Sequence, residues 1–285
     1  MNNKIHLVEC PRDAMQGWKK IIPTDQKVEY INSLLKVGFD TIDFGSFVSP
    51  KAIPQMADTK DVISQLDIYN SSTKLLAIVA NLRGAEEAAA YDEITYIGFP
   101  FSISETFQRR NANSSLNESL ELVERINNIC SARNKQAVIY ISMAFGNPYN
   151  DKYNIDIVCA WVKKIADLNV KIISLADTVG LAEPSQITSA LNLLTPIYPE
   201  VSFGLHLHST KANWRVKLDA GLKAGCTRFD GALRGIGGCP MANDELIGNM
   251  DTELMINHFS DLGLLKNLDM DALKHSLEMA DVIFS

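Results

Sequence analysis

The sequence has few of the features that mark membrane, secreted or nucleic-acid-binding proteins. No run of apolar residues approaches the roughly 18 to 20 that a membrane helix needs, and Met1 is not followed by a recognisable signal or transit peptide. The five cysteines are odd in number and scattered, which argues against a disulfide framework or a CxxC metal site. A formal net charge of -7 argues against binding a polyanion. We therefore expect a cytoplasmic protein that binds neither membrane nor nucleic acid.

The composition is that of a folded domain with a large core. Of the 285 residues, 46% are hydrophobic and 21% are charged, which is typical of globular domains and not of disordered chains. Short apolar or β-branched runs alternate with amphipathic stretches of about 10 to 18 residues, the pattern of repeated strand and crossover-helix units. We predict eight strands, at residues 5–9, 41–44, 75–79, 94–98, 137–142, 171–175, 201–206 and 227–230.

Two of the intervening helices have recognisable end signals. Ser115 followed by Glu118 predicts a capping box at the start of a helix over residues 115–128, in which apolar residues recur at helical spacing. Gly225 follows the predicted helix 211–223 at the place where a glycine stop is expected.

The number of strand and helix units predicts the fold. Eight units in about 250 residues match an α/β fold of the (β/α)8 TIM-barrel type. A doubly wound sheet is the alternative, but it more often has fewer strands and a glycine-rich first loop. No Pro/Gly/Ser-rich linker precedes residues 262–285. We therefore predict one catalytic domain, residues 1–285, in which 262–285 form a C-terminal helical extension.

Polar residues follow the end of nearly every predicted strand. Because the active site of a TIM barrel lies at the C-terminal ends of its strands, this placement predicts a catalytic mouth there. The acids at these positions are either ordinary strand-end caps or members of a charged network, and we favour the network. The residues concerned are Arg12, Asp13, Asp43, Asn81, Ser102, Ser104, Glu105, Ser142, Asp177, His206, His208 and Asp230.

His206 and His208 give the sharpest local signal. Residues two apart on a strand point to the same side, so the two imidazoles can share one ion, although a hydrogen-bonded structural pair is the alternative. With a carboxylate from Asp13 and an amide oxygen from Asn249, the set becomes two nitrogens and two oxygens, which suits Mg²⁺ or Mn²⁺ with positions open for substrate. A closed zinc site is disfavoured because it usually recruits thiolates.

Arg12 and Cys239 are further candidates for a direct role in catalysis. Arg12 either forms a surface ion pair with Asp13 or supplies a fixed positive charge to a thioester enolate oxygen. Cys239 lies in a loop with three glycines, a composition typical of mobile active-site loops. A buried inert thiol is the commoner fate of a cysteine, but this loop position favours a function.

Five segments of the chain together resemble the hydroxymethylglutaryl-CoA lyase family. They are CPRDAMQ at 10–16, SFVSPK at 46–51 with PQM at 54–56, SLADTVG at 174–180, HLH at 206–208 and GGCP at 237–240. Their order and spacing agree with the family over residues 5–253. The SFVSPK and GGCP elements separate the chain from isopropylmalate and homocitrate synthases, which share the barrel, the Arg-Asp pair and the HxH motif.

The resemblance implies roles for individual residues. The implied metal ligands are Asp13, His206, His208 and Asn249, with Glu253 as a supporting acid. The implied catalytic residues are Arg12, Asp13, Asp43, His206 and Cys239. Gln16, Lys19 and Asp177 are expected at the substrate or coenzyme A, and Asn81 and Ser142 join them because of their strand-end positions.

The implied activity is metal-dependent retro-Claisen cleavage of 3-hydroxy-3-methylglutaryl-CoA, or a close 3-hydroxyacyl-CoA, to acetyl-CoA and acetoacetate. An acyl-CoA substrate, Mg²⁺ or Mn²⁺, and a homodimer or larger assembly follow from the same resemblance. The alternatives are an acetyl-CoA-dependent synthase, an aldolase of small hydroxy-keto acids and, last, a non-catalytic barrel. Three residues depart from the family: Asp43 replaces a longer glutamate, Arg234 a small residue and Met241 an aromatic residue. These changes bear on acyl specificity more than on reaction type.

Overall fold

In the computed structural model, which describes residues 4–238, 247–265 and 267–285, eight parallel strands close into a barrel. Closure occurs because the last barrel strand pairs with both the seventh and the first. The barrel strands are β1 (His6–Glu9), β2 (Thr41–Ser46), β3 (Lys74–Ile78), β4 (Ile94–Ser102), β5 (Gln136–Ser142), β6 (Ile172–Ala176), β7 (Ser202–His206) and β9 (Arg228–Gly231). Two short strands, β8 (His208–Ser209) and β10 (Gly248–Asn249), form a separate antiparallel pair.

Helices connect the barrel strands and continue after the last one. They are α1 (Pro11–Gln16), α2 (Thr24–Val37), α3 (Thr59–Ile63), α4 (Leu82–Ala89), α5 (Glu105–Ala112), α6 (Leu116–Ala132), α7 (Ile155–Asp167), α8 (Pro184–Ile197), α9 (Trp214–Lys223), α10 (Thr252–Asp261) and α11 (Met270–Ile283). Two 3-10 turns cover Pro54–Met56 and Leu233–Gly235. Nowhere in the described ranges does a helix have the length and apolar character that crossing a membrane requires.

The predicted TIM barrel is confirmed, and each of the eight predicted strands corresponds to a barrel strand. The predicted capping box is present, with the Ser115 side chain accepting from the Glu118 N–H and the Glu118 carboxylate accepting from the Ser115 N–H. Three boundaries were wrong by three or four residues, and the first is the end of helix α6, which lies at Ala132 and not at residue 128. Strand β4 continues four residues beyond its predicted end, because it pairs with β5 as far as Ser102. Helix α9 begins at Trp214 and not at residue 211.

The side chains of the barrel strands form two separate hydrophobic clusters. The larger cluster includes Leu75, Ala77, Ile139 and Ile141 and fills the layer between strands and helices. The alternate residues face the other way, into the barrel, where they form a small cluster of Leu76, Ile78, Val138, Tyr140 and Ile172. Because this inner cluster is small, room remains in the interior for buried polar side chains toward the C-terminal ends of the strands.

The last helix is fixed to the barrel by its contact with α2. The hydroxyl groups of Ser33 and Ser276 lie 2.9 Å apart at this contact, and both residues are buried. Phe284, which follows α11, packs edge-on against the ring of Trp18 with 5.3 Å between the ring centroids. The helical extension expected from the sequence is therefore present and packs next to the loop that follows α1.

Candidate metal centre and active site

Asp13 lies in α1, which begins immediately after β1. Pro11 occupies the first turn of this helix, where its missing N–H costs no hydrogen bond, and Arg12 and Asp13 follow it, both buried. Oδ1 of Asp13 accepts hydrogen bonds from Nη1 of Arg12 at 2.9 Å and from Nε2 of Gln16 at 2.6 Å. The carboxylate is thus held in a fixed orientation at the mouth of the barrel.

His206 and His208 present one ring nitrogen each toward Asp13. Nδ1 of His208 lies 3.1 Å from the carbonyl oxygen of Thr178, and because a carbonyl only accepts, Nδ1 is the protonated nitrogen. Nδ1 of His206 lies 3.3 Å from Oδ2 of Asp230. Both bonds leave Nε2 free to bind a metal ion, and Nε2 of His208 is buried without a hydrogen-bond partner among the described residues. Ligand atoms of Asp13, His206 and His208 lie within 4.8 Å of one another.

Asn249 completes the predicted ligand set. It is paired with His208 across the β8–β10 ladder, so the two side chains are neighbours. Its Nδ2 donates to Oδ2 of Asp13 at 2.7 Å and to the carbonyl of Ile236 at 2.9 Å. Oδ1 is buried and, within ranges 4–238, 247–265 and 267–285, accepts no hydrogen bond. The amide oxygen of Asn249 and Nε2 of His208 are both buried, and each has a lone pair without a hydrogen-bond partner among the described residues. A bound cation would satisfy both atoms, so these residues fit a metal.

Charged neighbours set the pKa values of Asp13 and of the two histidines. Burial would raise the pKa of Asp13, but Arg12 and the two histidines lower it to about 2. Burial, aided by the nearby His206, lowers the pKa of His208 to about 4. The pKa of His206 is raised, because the hydrogen bond and charge of Asp230 outweigh the effect of burial. Asp13 is therefore ionised and His208 neutral at neutral pH, which is the state that metal ligation requires.

Arg12 is held between two carboxylates. Its Nε and Nη2 donate to Oδ2 of Asp43 at 3.0 and 2.5 Å, and its Nη1 donates to Asp13. Burial alone would lower the pKa of Arg12, but Asp43 and Asp13 raise it, so the guanidinium stays charged. Burial raises the pKa of Asp43 to about 6 despite this partner. Although Asp43 is one methylene shorter than the family's glutamate, it still reaches Arg12.

A second set of side chains that could hold a metal ion lies in the barrel interior. One possible ligand atom from each of Cys10, His206 and Asp230 lies within 4.8 Å of the other two. Burial and the nearby Asp230 raise the pKa of the Cys10 thiol well above its usual value. Because the thiolate is the form that binds metals, this set is the weaker of the two.

The other predicted residues take different positions. Gln16 joins the centre through Asp13, and Ser142 is buried at the end of β5. Lys19 is exposed after α1, and Asn81 is exposed as the N-cap of α4, where it lines a cavity of about 630 Å³ beside the SFVSPK segment. Cys239 and Met241 lie outside the described residues.

Asp177 and Glu253 are already engaged by other groups. Oδ1 of Asp177 accepts from the Ala182 N–H and Oδ2 from Nζ of Lys217, both within 2.9 Å. The Glu253 carboxylate accepts hydrogen bonds from the backbone N–H and from the guanidinium of Arg234. Among the contacts that the structure describes, neither carboxylate bonds to a candidate ligand directly. Lys217 does connect Asp177 to the centre, because it also donates to the His208 carbonyl at 2.8 Å.

Three supporting residues were not given a role from the sequence. Lys217 is buried in α9, Asp230 orients His206 from β9, and Thr178 supplies the carbonyl that orients His208. Asp230 was noted at a strand end, so a signal existed for it. Lys217 lies in a helix at an ordinary lysine position, and the sequence carries no sign of its burial.

The fold and the site define a class of protein: a (β/α)8 barrel that groups a carboxylate, two imidazoles and an amide beside a buried arginine at its mouth. The chain belongs to the HMGL-like family, whose model matches residues 5–280. This membership confirms the resemblance drawn from the five sequence segments.

Curated relatives agree with this family. The chain is 33% identical over 263 residues to hydroxymethylglutaryl-CoA lyase YngG of Bacillus subtilis, covering 92% of this chain and 87% of that protein. It is 31% identical over 283 residues to the mitochondrial hydroxymethylglutaryl-CoA lyase of Mus musculus, covering 98% and 85%.

Solved structures agree as well. The Bacillus subtilis HMG-CoA lyase superimposes with a TM-score of 0.92 at 31% identity, covering 99% of this chain and 94% of that one. An HMG-CoA lyase from Acinetobacter baumannii, solved in complex with coenzyme A and 3-methylmalate, gives a TM-score of 0.90 at 29% identity, with coverage of 100% and 92%.

Replacing Lys217 with methionine should destabilise the protein by about 3 to 5 kcal/mol, because Asp177 would remain as an unpaired buried charge. The measurement is the free energy of unfolding in urea. Lys163→Met is the matched control, since Lys163 forms an exposed pair with Asp167 and its loss should destabilise the protein far less. Equal losses in the two variants would contradict the assigned role of Lys217.

Glu9 should make stability depend on pH. It is fully buried and accepts from Thr252 Oγ1 and from the Leu233 N–H, and burial raises its pKa from 4.5 to about 8. Between these values the unfolded chain releases a proton that the folded protein keeps. The contribution of Glu9 to stability is therefore fully present below pH 4.5 and is lost as the pH rises to about 8.

Glu9→Gln should remove this part of the pH dependence. The free energy of unfolding, measured across the same pH range, should fall less steeply with rising pH in the variant than in the wild type. Glu86→Gln, at an exposed position of α4, is the control and should keep the wild-type slope. Parallel curves for the wild type and Glu9→Gln would show that Glu9 ionises normally.

Proposed function

We propose that this protein is a divalent-metal-dependent lyase that cleaves 3-hydroxy-3-methylglutaryl-CoA, or a close 3-hydroxyacyl-CoA, to acetyl-CoA and acetoacetate. The observation that carries the proposal is the convergence of Asp13, His206, His208 and Asn249 beside Arg12. Relatives that bear the name hydroxymethylglutaryl-CoA lyase, with 87% and 85% of their length covered, support it. Residues 1–285 would act as one catalytic domain, and a homodimer or larger assembly in the cytoplasm stays a prediction.

Asp13, His206, His208 and Asn249 would hold the cation, and the mixture of two nitrogens and two oxygens suits Mg²⁺ or Mn²⁺. When bound, the cation would lower the pKa of the substrate's 3-hydroxyl group, as metals do for bound water.

Asp13 and His206 are the two candidates for the base that removes the hydroxyl proton. His206 donates Nδ1–H to Asp230 and would use Nε2 for the cation, which leaves this ring no lone pair for a proton. Asp13 has two oxygens, so one could ligate the cation while the other exchanges its hydrogen bond from Gln16 for the hydroxyl proton of the substrate. This comparison favours Asp13 as the proton acceptor while His206 is a ligand.

Arg12 would stabilise the enolate that leaves when the carbon–carbon bond breaks. Its guanidinium is buried and fixed by Asp43 and Asp13 before substrate arrives, so little reorganisation is needed when negative charge develops on the thioester oxygen. The enolate must then receive a proton at carbon to give acetyl-CoA. Cys239 is the proposed donor, on the strength of the family resemblance.

Removing the cation should abolish cleavage, and adding it back should restore it. Purified protein treated with a chelator should form no acetoacetate from hydroxymethylglutaryl-CoA until Mg²⁺ or Mn²⁺ is supplied. His208→Ala should lose Mn²⁺ binding and activity together, because it deletes the one imidazole that is neutral by burial. His275→Ala, exposed on α11, is the control; full activity of the chelated wild type would refute the metal requirement.

Arg12→Lys should reduce kcat by about 100-fold or more, because a lysine cannot keep two carboxylates bound and still stabilise the enolate. Mn²⁺ affinity should change much less than kcat. Arg109→Lys, an exposed position that pairs with Glu105 within α5, should leave both unchanged. An intact kcat in Arg12→Lys would remove the arginine from the proposed chemistry.

A further inference from the structure

Arg234 has a backbone conformation that few arginines adopt. It lies in the 3-10 turn after β9 with φ 64° and ψ 7°, in the left-handed region. For a residue with a Cβ atom this conformation costs about 1 to 2 kcal/mol relative to the right-handed one. Arg234 is also one of the residues that departs from the family pattern. Interactions of the Arg234 side chain must therefore offset the strain of this turn.

The Arg234 side chain joins this turn to two helices. Its Nε and Nη2 donate to the two carboxylate oxygens of Asp281, near the end of α11, at 2.8 and 2.6 Å. Its Nη1 donates to Glu253, in the first turn of α10, at 3.2 Å. The Arg234 N–H also donates to Glu253, at 2.9 Å. Arg234 thus forms a bidentate ion pair with Asp281 and a further pair with Glu253. This arrangement has a defined geometry that a single surface ion pair lacks.

The residues that follow Arg234 lie directly against the candidate metal centre. The Ile236 carbonyl accepts from Nδ2 of Asn249, one of the two bonds that orient this amide. Gly237 is so close to the centre that an added Cβ would lie 2.7 Å from the Asp13 carbonyl oxygen and 2.8 Å from Nδ2 of Asn249. A small displacement of residues 234–237 would therefore move the acceptor that holds Asn249.

We propose that Arg234 is a positioning residue that couples the end of α11 to Asn249, and so to metal affinity. The coupling runs from Asp281 through Arg234 and the Ile236 carbonyl to the amide of Asn249. It rests on the proposed function, because it assumes that Asn249 is a ligand. Arg234, Glu253 and Asp281 have side chains that are partly exposed, so salt should weaken the coupling.

The test measures Mn²⁺ affinity by titration with electron paramagnetic resonance detection, together with kcat, at low and high ionic strength. Arg234→Met and Asp281→Asn should each weaken Mn²⁺ binding about five- to tenfold at low ionic strength, the size of one lost positioning interaction. Adding Asp281→Asn to Arg234→Met should cause little further loss. High salt should weaken binding by the wild type but not by the variants.

Two further variants separate positioning from folding. Arg234→Gly relieves the backbone strain yet removes the ion pairs, so it should lose metal affinity as Arg234→Met does while keeping its melting temperature. Asp271→Asn changes an exposed acid at the other end of α11 and should leave Mn²⁺ binding unchanged. Lower melting temperatures with unaltered Mn²⁺ affinity, or additive losses in the double variant, would overturn the coupling. A wild-type protein that binds no Mn²⁺ would overturn the proposed function itself.

Discussion

The candidate centre depends on the hydrogen bond from Nδ2 of Asn249 to Oδ2 of Asp13. These residues lie 236 positions apart in the chain, and their contact joins the segment after the first barrel strand to the segment after the last. The bond also fixes which way the amide points. Two acceptors, Oδ2 of Asp13 and the Ile236 carbonyl oxygen, face Nδ2. If the amide were turned over, Oδ1 of Asn249 would face both of these oxygens without a hydrogen between them. The amide oxygen is therefore left for a cation.

The sequence alone was sufficient for the fold, and it selected candidate ligands that the structure brings together. Alternation of apolar runs located the eight strands, and the rule that barrel chemistry lies at strand ends selected Asp13, His206 and His208 before any contact was known. Asn249 follows no predicted strand; it was chosen as the amide oxygen that completes the ligand set and through the family resemblance, and its partner Ile236 was not foreseen. A residue's type and its place in an element predict what it can ligate, whereas the direction of its side chain depends on neighbours distant in sequence.

The sequence did not reveal which residues of other helices and strands form hydrogen bonds with the site residues. Lys217 is in a helix in which four of the ten residues carry charge, and its burial follows from how α9 packs over the loop after β6. The reach of Asp43 toward Arg12 is a related case. The carboxylate of Asp43, on β2, lies within hydrogen-bond distance of the Arg12 guanidinium, on α1, although the acid is one methylene shorter than a glutamate. The distance between two elements cannot be predicted from residue types.

The charges buried in the barrel bear on the kind of substrate that the site accepts. Three carboxylates, those of Asp13, Asp43 and Asp230, and two guanidinium groups, those of Arg12 and Arg228, are buried on β1–α1, β2 and β9. This set has one net negative charge, and Glu9, with its pKa raised to about 8, adds none at neutral pH. A divalent cation would turn the balance to one net positive charge. Because unbalanced charge is costly at low dielectric, a substrate that brings a single carboxylate would complete the site better than a neutral one. The acyl group of hydroxymethylglutaryl-CoA ends in such a carboxylate.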